Sequence, residues 1–439
     1  MRPATGTAPT PARIAVIGGG PGGLYAAALL KRLDPAREVT VWERNEPSDT
    51  FGFGVVLSDE TLGGIRDADP AVYEALRREL VRWDDIDVVH RGHRTTSTGH
   101  GFAALGRRRL LELLHARCAE LGVRLRFRTE APPADELAAT HDLVVAADGV
   151  HSRTREAHAA HFRPRITAHR CRYIWLAADF PFDAFRFEIA ETEHGVMQLH
   201  AYPYSTGSST VIVEMREEVW RAAGFHELDE AESTARCAKI FAEALGGREL
   251  RAHNSAWTAF RTVVNERWSY GNTVLIGDAA HTAHFSIGSG TKLAVEDALA
   301  LATAVGEHPD LTEALTAYES GRRPVVESRP PASAGSRSSP TTSTARPAAS
   351  PSTCSPAAAA SPTPTCGCAT RPSPKRSKPT SAAHPELRPC SRPSGSADSP
   401  CATGSSSRPW TCTSPRTAYP ATSTSSTWAP GPSAAPDSS

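Results

Sequence analysis

The chain has 439 residues, enough for two or three domains, and its 48 basic and 48 acidic side chains cancel to a net charge of +0. That balance leaves no global field to attract nucleic acid or an anionic membrane. No apolar run reaches the ~18 residues that a membrane span needs, and MRPATGTAPTPAR lacks a signal-peptide core, so a cytoplasmic protein is expected. Cys118, Cys171 and Cys237 are widely spaced before residue 330 and read as buried thiols rather than a disulfide framework.

Residues 1–12 read as a disordered N-terminus. From Arg13 the sequence RIAVIGGGPGGLYAAALLKRLDPAREVTVWER opens with a β-branched run, Ile14 to Ile17, the pattern of a buried parallel strand. Gly18, Gly20 and Gly23 follow in G-x-G-x-x-G register. They suit a tight turn, close backbone approach to a pyrophosphate and close packing of helix on strand, respectively. An alanine-rich helix from about Gly22 to Leu33 presents its free N–H groups and positive dipole end to phosphates. A second strand, Glu38 to Trp42, ends on Glu43, placed to accept hydrogen bonds from a ribose, with Arg44 beside it. Strand, glycines, helix, second strand and terminal acid together predict dinucleotide binding.

Further on, FGFGVVLSDETL (Phe51 to Leu62) suits backbone lying against a planar ligand, with Phe51 and Phe53 beside it, or a glycine-rich loop tucked into the core. Gly106 to Leu121 is an amphipathic helix with Arg107, Arg108 and Arg109 crowding its first turn. Positive charge there opposes the helix dipole, so a nearby phosphate or simple solvation has to account for it. Asp142 to Ala147 is a buried strand followed by Asp148-Gly149 and then Ser152 and Arg155, a ligand loop at a strand's carboxyl end. Tyr173 to Met215 turns to alternating, aromatic-rich strands, including Gly195 to Tyr202 and Ser209 to Met215. His200 and Tyr202 alternate along one of them, as pocket residues or as plain sheet packing. A last parallel-type strand, Thr273 to Ile276, ends on Gly277-Asp278, and Gly288 and Gly290 open a long apolar helix from about Thr291. His281 and His284 form an H-x-x-H with no third ligand nearby, so no metal is expected.

The three strand-end motifs together resemble those of the single-component FAD-dependent aromatic hydroxylases, the p-hydroxybenzoate hydroxylase-like family, over about Arg13 to Ser328. The resemblance implies an α/β fold: a Rossmann-like FAD-binding fold (residues 13–165 and 266–328) interleaved with an antiparallel β substrate domain (166–265). It implies FAD as cofactor, NADH or NADPH as reductant, dioxygen, and hydroxylation of a small aromatic molecule, with no nucleic-acid or membrane partner and no side chain certain to act as a catalytic group. By the same resemblance Gly18, Gly20, Gly23, Glu43 and Arg44 hold the adenosine half of FAD, and Arg107 contacts FAD. Asp148, Gly149, Ser152 and Arg155 serve both flavin and nicotinamide. Gly277, Asp278, Gly288, Gly290 and Thr291 lie along the ribityl chain and flavin ring. The family often has proline at Phe285 and asparagine at Lys292. The variant HFSIGSGTK, with FGFGVVLSDETL, resembles a subgroup of salicylyl-CoA 5-hydroxylases, anthraniloyl-CoA monooxygenases and tryptophan-type hydroxylases of violacein synthesis. An aromatic CoA thioester is therefore the expected substrate, with a tryptophan-derived substrate, or a non-catalytic FAD-binding remnant, as the other readings. Phe51, Phe53, His200, Tyr202, His284 and Phe285 are the candidate substrate contacts.

From 329 to 439 Pro, Ser, Thr and Ala dominate and the helical and strand periods vanish, the composition of a disordered tail. Reading the last base of each codon with the first two of the next, Gly404 to Thr413 (GSSSRPWTCT) can encode VVVSPMDMY. Ser414 to Ser439 can likewise encode AEDGVPGDFHLVHLGARALGGAGLV. The single-codon tryptophans Trp410 and Trp428 both fit. The shifted text resembles the start of an old yellow enzyme-like FMN barrel, a domain fused after the FAD domain in some aryl-CoA hydroxylases, and implies a frame displacement near Ser328. Composition of this kind cannot bury enough apolar surface to offset ~1–2 kcal/mol of backbone entropy per residue. Limited proteolysis should trim the chain to a core ending near Ser328; a protected fragment reaching past residue 400 would contradict this.

Overall fold

Four of the five residues of the strand Arg13–Ile17 (β1) are buried, so its apolar run is covered on both faces. The computed structural model describes residues 11–50, 52–282 and 290–327. Phe51, His284, Phe285, Gly288 and the segment beyond 327 lie outside the described residues. After β1 come β2 Glu38–Trp42, β3 Gly54–Ser58, β4 Val81–Trp83, β5 Ile86–His90, β6 His93–Ser97, β7 Phe102–Gly106, β8 Arg124–Arg126 and β9 Leu143–Ala146. Then follow β10 Pro164–Ala178, β11 Phe185–Thr192, β12 Gly195–Pro203, β13 Ser209–Arg216, β14 Leu250–Arg251, β15 Thr258–Asn265, β16 Ser269–Tyr270 and β17 Thr273–Leu275.

A six-stranded sheet has the order β16-β17-β9-β1-β2-β8. β1 pairs in parallel with β2 on one side and β9 on the other, and β17 runs parallel to β9. The chain thus turns one way from β1 and later returns on its other side, the switch point where an open α/β sheet leaves a crevice at its strand ends. Helices Pro21–Leu33, Arg107–Leu121 and Gly290–Glu307 share one large apolar core with this sheet. Among the described residues no helix is long and apolar enough to cross a membrane.

A second sheet of eight strands runs β14-β10-β13-β12-β11-β5-β6, with β15 also on β10. Its period-2 alternation sorts side chains cleanly. Ile174, Leu176, Leu199, Ala201, Val211 and Val213 enter one core. Between them Tyr173, Trp175, His200, Tyr202, Thr210 and Glu214 stand on the opposite face. A small third sheet, β3-β7-β4, abuts that face, where Gly54 donates to Thr210 Oγ1 at 2.9 Å and Tyr202 donates to the Gly54 carbonyl at 3.0 Å. The strands expected around 195–202 and 209–215 are present. β5 and β6 carry no strong local strand signal; they join the second sheet through parallel pairing of β5 with β11, about a hundred residues away. Such long-range pairing leaves little trace in local sequence. Cys118 and Cys237 are free, buried thiols, as expected, whereas Cys171 is only half-buried because it lies towards the outer part of the long strand β10.

Gly18 sits at φ +105°, a backbone state that L side chains rarely adopt, and a Cβ on Gly23 would run into the Gly18 carbonyl oxygen. That contact is backbone on backbone and has no flexible end to yield. Gly23→Val should lower the thermal midpoint by an amount equivalent to ~1–3 kcal/mol or more and weaken cofactor retention; an unchanged melting curve would show that the helix can pull away from β1.

Candidate active site

The glycine turn after β1 is braced from β2. Glu43 Oε2 accepts the Gly19 N–H at 2.8 Å and Oε1 accepts the Asn45 N–H at 2.8 Å. Each carboxylate oxygen keeps a free lone pair, so the acid holds the turn while remaining able to accept from a ribose. A Cβ on Gly20 would meet no described atom within 4 Å, which fits a position where backbone faces ligand rather than protein. Arg44, next to Glu43 in the chain, is exposed.

The D-G and G-D loops are tied to each other. Arg155 is 3% exposed and donates to the carbonyls of Val150 at 2.6 Å and Ala279 at 3.0 Å, with a longer bond to that of Asp278. These bonds to protein backbone clamp the loops after β9 and β17 to each other. Ser152 likewise caps a short helix by accepting from Arg155 N. Asp148 uses Oδ2 on the Thr154 N–H at 3.1 Å, while its buried Oδ1 has no partner among the described residues. Gly149 and Gly277 adopt φ of +78° and +59°, which lets each loop turn sharply at its strand end.

Of the three arginines opening the Arg107–Leu121 helix, only Arg107 enters the site. Arg108 and Arg109 are exposed and pair with Glu112 and Glu79. Arg107 lies deep among protein atoms; burial pulls its pKa down, against the opposing pull of Asp278 and Tyr202. It donates to Thr291 Oγ1 at 3.2 Å at the start of the Gly290–Glu307 helix, and its buried Nε has no partner among the described residues. Surrounding protein pushes the Asp278 carboxyl up, with His281 and Arg107 pulling it back. The Asp278 side chain is nevertheless solvent-exposed, so water tempers that push. An orphaned guanidinium N–H, an orphaned carboxylate oxygen and an open glycine along one crevice fit an extended phosphate- and hydroxyl-bearing ligand.

Sequence reading missed what lies beneath Asp278. Asp297 has no exposed surface. Its Oδ2 accepts from Gly277 N at 2.9 Å and pairs with His281 Nε2 at 2.7 Å, and its Oδ1 accepts from Arg322 Nε at 3.0 Å. Burial pushes this carboxyl up, but His281, Arg322 and the Gly277 N–H outweigh it and leave it below the usual range. His281 is therefore held by a carboxylate, and among the described residues no group of three or more candidate ligands could hold a metal. Lys292, at the atypical position, pairs with Glu296 at 2.7 Å, and Arg322 reaches the same acid at 3.2 Å. An acid two residues into E-D within an apolar helix was the available signal for this cluster.

Opposite this cradle stands the aromatic face of the second sheet. Tyr202 stacks on Trp83 at 6.3 Å and meets Phe185 edge-on at 5.3 Å. Phe53, half-buried, gives its carbonyl to Arg107 N at 2.7 Å. Gly52 packs against the Trp175 ring, and a Cβ on Gly54 would collide with Tyr204 and Thr210. The glycines of FGFG thus let the loop squeeze between Arg107 and the sheet; at Gly54 the close neighbour is protein. Burial, with smaller pushes from Asp278 and Cys171, raises Tyr173 to about 12.

A family described as "FAD binding domain" matches residues 12–329. The chain belongs to it. A salicyloyl-CoA 5-hydroxylase from a Streptomyces species is 45% identical over 324 residues, 72% of this chain and 62% of that protein, so the chain spans less than two thirds of this relative's length. A 3-hydroxy-4-methyl-anthranilyl-[aryl-carrier protein] 5-monooxygenase from Streptosporangium sibiricum is 43% identical over 315 residues, covering 72% of this chain and 85% of that one. Among solved structures, 2-methyl-3-hydroxypyridine-5-carboxylic acid oxygenase superposes with a TM-score of 0.61 at 21% identity, over 72% of this chain and 88% of that one. The fold is that of flavin-dependent hydroxylases, and FAD is the cofactor.

With FAD in the crevice, Glu43→Ala should remove one or two charge-assisted hydrogen bonds worth ~1.5–3 kcal/mol each. Titrating apoprotein with FAD should show the loss, and unchanged affinity would exclude Glu43 from the adenosine site. Asp297→Asn breaks a buried charge cluster and should cost ~3–5 kcal/mol of stability in denaturant unfolding. Because the native carboxyl lies below its unfolded value of about 3.9, that difference should be full above this pH and shrink as pH falls through the lower native value. A difference that stayed constant through that range would show that ionisation of Asp297 is not its source.

Proposed function

We propose that this chain carries the FAD domain of a flavin-dependent monooxygenase that, with its reading frame intact, hydroxylates an aromatic ring with NADH or NADPH as reductant and dioxygen as oxygen source, and that the ring reaches it as an acyl thioester. The observation that carries the reading is the aromatic sheet face set against the cradle of Arg107, Asp278 and Thr291 and joined to it through residues 53 and 54, which bond to Arg107 on one side and to Tyr202 and Thr210 on the other. FAD, when bound, supplies the electron transfer and oxygen activation. The protein's own residues supply position. Glu43 and the glycine turn fix one end of the crevice, and Arg155 locks the two loops at the other. Trp83, Phe185 and Tyr202 form an apolar wall that orients a ring and excludes water. The helix beginning at Gly290 points its positive end into the same space. Two relatives named for thioester-bound aromatic acids support the substrate class.

The second part of the proposal concerns the reading frame. The family match stops at residue 329, where the Pro/Ser/Thr-rich composition begins, which supports a frame displacement near Ser328. Restoring the frame should give a longer protein that binds both FAD and FMN. That protein should oxidise NAD(P)H faster with salicyloyl-CoA or anthraniloyl-CoA than with the free acids or tryptophan, because the CoA moiety contributes remote binding energy to ring positioning. Its product should carry one added oxygen by mass spectrometry; equal rates with free acids would remove the thioester assignment. The 439-residue chain should retain FAD but show weak or no coupled hydroxylation. If the nucleotide sequence shows the present frame to be correct, with no barrel-encoding frame downstream, the fusion falls and the generic aromatic hydroxylase remains.

A further inference from the structure

The strand β11 serves both faces of the second sheet. Phe185 and Phe187 belong to the aromatic wall, so Arg186 and Glu188, which alternate with them, project from the opposite face. There they line a cavity of about 450 Å³, within the range of ~300–1,000 Å³ typical of small-molecule sites. Arg94 on β6, Phe180 after β10, and Glu243 and Arg248 between the helix Glu230–Ile240 and β14 also line it. Arg186 is poorly satisfied. Its Nη groups reach Asp87 only at 3.6 Å and Glu188 at 3.4 Å, and its buried Nε has no partner among the described residues. Arg94 meets Asp87 at 3.6 Å and is otherwise exposed. Arg248 lies over the Phe180 ring, 4.6 Å from its centroid, and among the described residues no acid pairs with it. Glu243 likewise has no bonded cation among them. Burial pushes the Glu188 carboxyl up against the pull of Arg186, which tips the lining towards positive charge.

Three chemistries therefore meet in one cavity: guanidinium groups with unused donors, a flat cation set on an aromatic ring, and a free carboxylate. A bare anion would use the first and be opposed by the last. A plain aromatic molecule would leave every charge unmet. We propose that this cavity binds an adenine nucleotide, with its phosphates on Arg94 and Arg186, its base laid on Arg248, and its exocyclic amine donating to Glu243. Guanidinium forks match phosphate oxygens bidentately. Bases stack on arginine planes as they do on aromatic rings, and a carboxylate side chain accepts from a base amino group. The site is separate from the FAD crevice, whose strand-end loops contribute none of the lining, and from the aromatic wall on the other side of β11. Two sources carry this chemistry, the nucleotide end of an acyl-CoA and a free nucleotide; only the first rests on the function proposed above.

The test is calorimetric titration of the 439-residue protein, kept saturated with FAD so that its own crevice is filled, with ADP, IDP and inorganic pyrophosphate. ADP should bind saturably and about tenfold more tightly than IDP, whose base turns a carbonyl oxygen towards Glu243 where adenine offers an amine. Arg248→Ala should weaken ADP about tenfold by removing the stacking surface. Glu243→Gln should erase most of the preference for ADP over IDP. Arg248 and Glu243 are both exposed, so the two variants should keep the parent's melting curve and FAD content. Absence of saturable ADP binding overturns the proposal. So does equal affinity for ADP and IDP, or pyrophosphate binding as tight as that of ADP, since either makes the arginines a mere anion trap. Salicyloyl-CoA then separates the sources. If Arg248→Ala weakens it while leaving the N-acetylcysteamine thioester of salicylate unaffected, the nucleotide is that of CoA; if ADP and salicyloyl-CoA bind together, it is a free one. Salicyloyl-CoA failing to bind while ADP still does would remove the thioester reading and leave this site standing.

Discussion

A single buried carboxylate sets the terms for the cofactor side of the molecule. Asp297 is fully enclosed, and a charge so placed is tolerable only if every acceptor position finds a donor. Its donors come from three places: the Gly277 N–H after β17, His281 in the following turn, and Arg322 on the helix Leu311–Glu327. The turn that presents Asp278 can therefore take its shape only when the strand end and both helices are in place. Trp268, packed on His281 at 4.8 Å and close to Tyr318, closes this cluster from the apolar side.

Around that anchor, the crevice is built from strand ends that are distant in sequence and adjacent at the switch point of the first sheet. The glycine turn after β1, the Asp148 loop after β9 and the Gly277 turn after β17 are held in common register by Glu43 and Arg155. The half of the site that meets the ring follows a different logic. It is one face of an antiparallel sheet whose other face is an ordinary apolar core, so alternation alone delivers aromatic and polar groups to one side. Rigid cradle and patterned wall meet where FGFG passes between Arg107 and Thr210.

Much of this was legible in the chain. The β1 run, Gly18, Gly23, Glu43, Asp148 and Asp278 each combine a residue type with a place at a strand end, and short-range sterics and hydrogen bonding suffice to interpret them. Arg107 was legible as one of three arginines, but not as the one that faces inward. That choice depends on helix phase against the core, which turns Arg108 and Arg109 towards Glu112 and Glu79. Arg155 was legible as part of a ligand loop but not as the clamp it forms, because the carbonyls it donates to include those of residues 278 and 279, over a hundred positions away.

By itself, then, the sequence determined the local devices: a glycine turn that only one backbone shape permits, acids at strand ends, and an alternation that sorts a sheet's two faces. These follow from sterics and periodicity acting within a few residues. The tertiary structure alone decided the pairings across long separations. It brought Asp297 under Gly277 with Arg322, β5 beside β11, and Glu214 diagonally against His200. Such contacts arise from closing long loops around a shared core, and no local pattern of residue types encodes which distant partner a buried charge will find.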